Sequence, residues 1–224
     1  MKDIIKERIL VLDGALGTMI QQYGLTEADF RGEEFKNHPV KLEGNNDILV
    51  LTRPDIISNI HRQYLEAGAD IIETCTFNSQ AISQTEYQTT DFVYRINLEA
   101  ARLARQEADR MTALTPDKPR FVAGSVGPTA KMTSMSPDVE NPALRAVDYD
   151  TLCKAYVEQM EALMEGGVDA LLIETIFDTL NAKAALCAAR EVFQTIGRRV
   201  PVMLSVTVAD AGGRCFQDKR WKLF

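Results

Sequence analysis

The stretch EGGVDALLIETIFDTLNA, residues 165–182, decides the fold. A Glu-Gly-Gly-Val-Asp lead-in runs into an apolar strand, Val168 to Ile173, which is expected to stop at Glu174 and Thr175. A helix follows from about Thr179 to Ile196. The chain repeats this phrase earlier, as EAGADIIETCTF at 66–77, with Glu73-Thr74 closing a shorter apolar run. Two strands that end in Glu-Thr point to a single rim of the fold where polar groups collect.

Outward from this pair, strands and helices alternate. Strands are expected at Ile9 to Leu12, Asp70 to Thr74, Phe121 to Val126, Val168 to Ile173 and Val200 to Val208. Helices are expected at Pro54 to Ala67, where Ile56, Ile57, Ile60, Tyr64 and Leu65 keep a 3.6-residue period, and at Phe92 to Met111. A third, marked by Leu152, Tyr156, Met160 and Leu163, closes on Gly166-Gly167. Continuous apolar strands separated by helices indicate a parallel sheet covered on both faces. Each strand end carries polar or glycine-rich residues: DGALGT, ETCTF, GSVGPT, ETIFD and TVADAGG. A (β/α)₈ barrel of the TIM type gathers such ends at one face, where the chemistry of that fold sits, and this favours the barrel over a doubly wound open sheet. About five βα units are present, over residues 1–214. The segments 24–50 and 129–149 lack periodicity, are long for plain connections, and are expected to fold over the barrel mouth.

Composition narrows the function. The 224 residues are 46% hydrophobic, enough for one sizeable core, and the net charge of −7 with no basic run argues against a nucleic-acid surface. No apolar run reaches the roughly 18 residues of a membrane helix. The charged start, MKDIIKERILVLDG, does not read as a signal peptide. Cys75, Cys153, Cys187 and Cys215 lack metal-ligand spacing and are expected to be reduced, mostly buried thiols of a cytoplasmic protein. His38 and His61 also lack ligand spacing, and His61 is expected at a surface or interface. DGALGT lacks both the three-glycine fingerprint and the lysine of a phosphate loop. It can instead present the Asp13 carboxylate together with backbone amides near Gly14, a pairing that suits an amino acid's ammonium and carboxylate. Glu174 would add a second acceptor. An aldolase-type Schiff-base site would need a strand-end lysine, and none stands at these ends. A non-catalytic barrel that binds a small amino acid remains as an alternative.

In order, DGALGTMIQ, GNNDILVLTRPDII, AGADIIETCTFNS, GSVGPT, SMSPDVENPALRAVDYDTL and LLIETIFDTLNAKAA closely resemble the N-terminal homocysteine-binding barrel of cobalamin-dependent methionine synthases. The SPDV insertion together with ETIFDTLNAKAA favours these over relatives using betaine or S-methylmethionine. The resemblance implies that homocysteine binds at the barrel mouth. Asp13 and Gly14 would hold its amino and carboxylate groups, Glu174 would pair with the ammonium, and Thr76 and Ser125 would line the mouth. It further implies a zinc ion on three cysteines that activates the homocysteine thiol, and separate domains for cobalamin and methyltetrahydrofolate in the full-length enzyme. None of the four cysteines here matches the zinc ligands, so neither zinc nor cobalamin is expected on this chain. Cys75 stands where the family usually has Asn. The family pattern also breaks after DAGGR. One codon choice for the tail CFQDKRWKLF, shifted by one base, reads LLSGQTLEAF, close to the family's own continuation. Residues 215–224 are therefore expected to be out of frame, and the chain to be inactive alone.

Overall fold

The computed structural model describes Met1 and residues 3–208. Four strands, β1 (Ile71–Glu73), β2 (Phe121–Val126), β3 (Ala170–Ile176) and β4 (Val202–Val206), form one parallel sheet in the order β1-β2-β3-β4. Long helices join them: α1 (Pro54–Ala67) precedes β1, α2 (Val93–Leu114) links β1 to β2, α3 (Tyr149–Glu165) links β2 to β3, and α4 (Thr179–Ile196) links β3 to β4. The fold is α/β, part of a (β/α) barrel, and among the described residues the sheet does not close on itself.

The expected strand at Ile9 to Leu12 needs correction. Only Leu12 pairs, through one parallel bridge to Ile71, although Asp70 and Ile71 N–H groups both donate to Val11 O. Ile9 is 86% exposed and Val11 and Leu12 are exposed as well, and only Leu10 packs, half-buried, against the cluster of Ile71, Ala123 and Leu172. β3 also extends past Glu174 and Thr175 to Ile176, with a one-residue irregularity between Ile173 and Ile176 opposite β4. Thr175 there takes φ 52, a left-handed conformation that is costly for a β-branched residue. The out-of-frame reading of residues 215–224 lies outside the described residues.

The repeated phrase has a structural meaning at both ends. α1 and α3 are each followed by a glycine with positive φ, Gly68 (φ 112) and Gly167 (φ 93), which turns the chain toward the sheet. The Asp two residues further on then grips the preceding chain. Asp70 Oδ2 accepts from Val11 N–H at 2.9 Å and Asp169 Oδ2 accepts from Val122 N–H at 2.9 Å. An arginine pairs with each carboxylate, Arg8 with Asp70 at 2.8 Å and Arg105 with Asp169 at 2.6 Å. The phrase thus reads helix, turn, clamp, strand, rim carboxylate.

Helix faces pack as their periods dictate. Ile56, Ile57, Ile60 and Leu65 of α1, Ile96, Ala100 and Ala104 of α2, and Leu152, Tyr156, Met160 and Leu163 of α3 are almost fully buried. Gly124 of β2 leaves room for Leu163 and Leu171, and Gly127 stands where Phe77 O would lie 2.3 Å from an added Cβ. No side chain but hydrogen fits at Gly127, which explains the second glycine of GSVGPT. α4 starts and stops where its caps require: Asp178 accepts from Leu180 and Asn181 N–H, and Gly197 ends it at φ 69.

Two further expectations are corrected. His61 is not at a surface; α1 buries it completely, with neither ring nitrogen hydrogen-bonded. Cys187 is exposed and Cys153 half-exposed, and only Cys75 of the described thiols is buried.

Candidate amino-acid site at the strand ends

A cavity of about 480 Å³ opens at the C-terminal ends of the strands and is lined by Asp13, Gly14, Thr76, Ser125 and Glu174, all five of the residues singled out in the sequence. Each arrives from a different part of the fold. Asp13 follows the Leu12 bridge and is held by its own N–H donating to Ile71 O at 2.9 Å and by Glu73 N–H donating to its Oδ2 at 3.0 Å. Its Oδ1 is buried and has no partner. Gly14 packs edge-on against Tyr64 of α1, where an added Cβ would stand 3.1 Å from the ring hydroxyl. Glu174 comes from the rim of β3 and accepts a short hydrogen bond from Ser125 Oγ on β2. Thr76 is part of the wall: its hydroxyl bonds the Thr74 hydroxyl at 2.6 Å and donates to Ser125 O at 2.7 Å.

Two acids that sequence reasoning had not assigned to the site complete the lining. Glu73, at the end of β1, and Asp47, from the 24–50 segment, both face the cavity. The signal for Glu73 was present in the doubled Glu-Thr ending. Asp47 belongs to GNND and is placed by Asn78 N–H at 2.7 Å and Ser79 Oγ at 2.8 Å, both donating to Oδ2. The 24–50 segment therefore does reach the mouth. The 129–149 segment does not line the cavity; Asp178, just past the end of β3, holds it by accepting from Thr133 and Ser134 backbone and hydroxyl groups.

Four carboxyl groups in one cavity shape its electrostatics. Burial, and then the nearby Glu174 and Asp13, push Glu73 up to about 8. Burial raises Asp13 to about 7 and Asp47 to about 6, each opposed by its hydrogen bonds and pushed further by Glu174. Burial raises Glu174 as well, against the pull of the Ser125 bond. Glu73 and Asp13 hold protons near neutral pH because each charge is poorly solvated and faces others of its sign. A bound cation relieves both penalties, so the cavity favours a ligand that carries positive charge. Cys75 lies in the wall with its thiol donating to Asn46 O at 3.5 Å; burial holds it well above the ordinary thiol range, so it is a neutral wall group. Among the described residues no group of three or more His, Cys, Asp and Glu could hold a metal ion. No helix among them is long and apolar enough to cross a membrane.

Known proteins agree with this architecture. The structure of the homocysteine methyltransferase MmuM from Escherichia coli in its oxidized form aligns over 98% of this chain and 69% of that one, at 21% identity and a TM-score of 0.73. Its metallated form aligns over the same shares at 20% identity and a TM-score of 0.72. At these identities the likeness concerns the fold. The model of the family described as homocysteine S-methyltransferase matches residues 10–219, nearly the whole chain. The chain belongs to the homocysteine S-methyltransferase family.

Proposed function

We propose that the carboxylate-lined cavity binds the amino-acid end of homocysteine, and that the chain is the homocysteine-binding part of a cytoplasmic methionine synthase. One observation carries the site: the buried, unpartnered Asp13 Oδ1 in a cavity that also receives Glu174, Glu73 and Asp47. An α-ammonium group supplies the donors and the positive charge that this arrangement lacks. Asp13 and Glu174 take the ammonium. The backbone at Gly14 takes the carboxylate. Thr76 and Ser125 shape the wall, and Ser125 orients Glu174.

In this reading the homocysteine thiolate accepts a methyl group from methylcobalamin, and cobalamin and methyltetrahydrofolate sit on other domains of a longer enzyme. The SPDVENP and ETIFDTLNAKAA motifs support this donor; betaine or S-methylmethionine is the alternative. The described residues offer no zinc ligand set, so thiol activation is not assigned to them.

Calorimetric titration tests the site. L-homocysteine should bind the chain, and Glu174→Gln should weaken that binding by about 1–3 kcal/mol as a charge-assisted contact is lost. The analogue without the amino group, 4-mercaptobutyrate, should not bind. Equal affinity for the two ligands would refute ammonium recognition.

A further inference from the structure

Away from the cavity, α3 and α4 bring two thiols together. Cys153 Sγ on α3 donates to Ala184 O on α4 at 3.6 Å, and one turn earlier Tyr149 Oη donates to Lys183 O at 3.3 Å. Cys187 lies three residues beyond Ala184 and four beyond Lys183. Side chains on a helix lean toward its N-terminus, so the Cys187 side chain lies over the turn that Tyr149 and Cys153 touch. Burial raises the pKa of both Cys153 and Tyr149, and at this spacing the Cys187 thiol raises both further. Their exposure is unequal: Cys187 is open to solvent and Cys153 half-covered. Neither takes part in the proposed site.

We propose that Cys153 and Cys187 form a redox-active dithiol that closes to a reversible disulfide between α3 and α4 when the chain meets a peroxide. The exposed Cys187 is the attacking sulfur. Its thiolate displaces one oxygen of the O–O bond, forming an S–O bond and releasing an alcohol or water after protonation. The Cys153 sulfur then attacks the Cys187 sulfenic acid, the S–S bond forms, and hydroxide leaves with the Cys153 proton as water. In sum, two thiols and ROOH give one disulfide, ROH and H₂O; the peroxide is reduced and both sulfurs are oxidised. Burial and the neighbouring Cys187 push the Cys153 thiol up to about 11, which suits it to the second, resolving step rather than to the first attack.

Peptide mapping by mass spectrometry, after hydrogen peroxide treatment of the folded chain, tests this. A Cys153–Cys187 linked peptide, lighter by two hydrogens and restored by dithiothreitol, is the expected result. In Cys153→Ser the link should vanish, and dimedone should trap the Cys187 sulfenic acid severalfold more than in wild type. In Cys187→Ser, Cys153 should stay reduced under the same treatment. Prior unfolding in urea should abolish the preference for this pairing. The proposal is overturned if Cys187 links instead to Cys215 or to a second chain. It is also overturned if both thiols remain free while Cys187 is trapped equally in wild type and Cys153→Ser.

Discussion

Replacing Glu73 with glutamine separates the electrostatics of the cavity from its shape. Glu73 ionises at about 8 in the folded chain against an ordinary 4.5, chiefly through burial and then through Glu174 and Asp13. A carboxyl raised in this way stabilises the fold while it is protonated in both states, and loses that contribution as pH climbs through the window. Between 4.5 and 8 the unfolded chain has released a proton that the folded chain keeps, so stability falls by about 1.4 kcal/mol per pH unit for this one group. From pH 5 to pH 7 the ceiling is about 2.7 kcal/mol, and the remaining water contact of half-buried Glu73 lowers it to about 2 kcal/mol. Glutamine keeps the size and cannot ionise. Glu73→Gln should therefore gain about 2 kcal/mol on wild type between pH 5 and pH 7, whatever its stability at pH 5. Urea unfolding followed by circular dichroism at pH 5, 6 and 7 measures the difference, in which all other titrating groups cancel to first order. A gap between the two proteins that stays constant within about 0.5 kcal/mol would show that Glu73 is already ionised in the fold, and the account of a proton-holding cavity would fail.

Three further perturbations probe the frame. His61, buried and driven down to about 4 by desolvation, contributes stability above its unfolded value near 6.5 and loses it as pH falls toward 4; His61→Leu should remove up to about 2 kcal/mol of acid destabilisation between pH 6.5 and pH 5, as read by urea titration. Gly127→Ala should cost about 2–3 kcal/mol in the same assay, since its Cβ would collide with Phe77 O and nothing flexible can move aside. Asp178→Ala should cost about 2–4 kcal/mol, through loss of the α4 cap and of the acceptor for Thr133 and Ser134; limited proteolysis should then cut first within 129–149.

The sequence revealed most where a local rule sets structure alone. α4 was readable to its terminal residues because Asp178 caps one end and Gly197 the other, and α1 because Pro54 opens it and Gly68 turns it. Local rules say less about partners. Ile9 to Leu12 has the composition of a strand, but only Leu12 finds a neighbour, and pairing is a property of two segments. His61 looked polar enough for a surface, yet it sits on the buried stripe of α1 with Ile57, Ile60 and Leu65, where helical period outranks polarity. In the cavity, Asp13 and Glu174 were legible as strand-end acids. Glu73 was legible only as the partner of a repeated phrase, and Asp47 needed the folded path of 24–50 to bring it in.

The left-handed Thr175 gives the rim an unusual tolerance to length. Three residue steps on β3, from Ile173 to Ile176, span the two from Leu204 to Val206 on β4, so the strand carries one residue more than its neighbour. Deleting that residue would yield an even ladder and discharge the backbone cost at φ 52. The sheet would survive such a deletion, or tighten. Glu174 stands ahead of that residue and would keep the phase it shares with Leu172, while Ile176 would move to two places after Ile173, on the face where both are already buried. A residue lost after Glu174 would therefore keep scaffold and site together, whereas one lost between Leu172 and Glu174 would turn the carboxylate to the other face, so the position of a deletion along this rim separates folding from recognition.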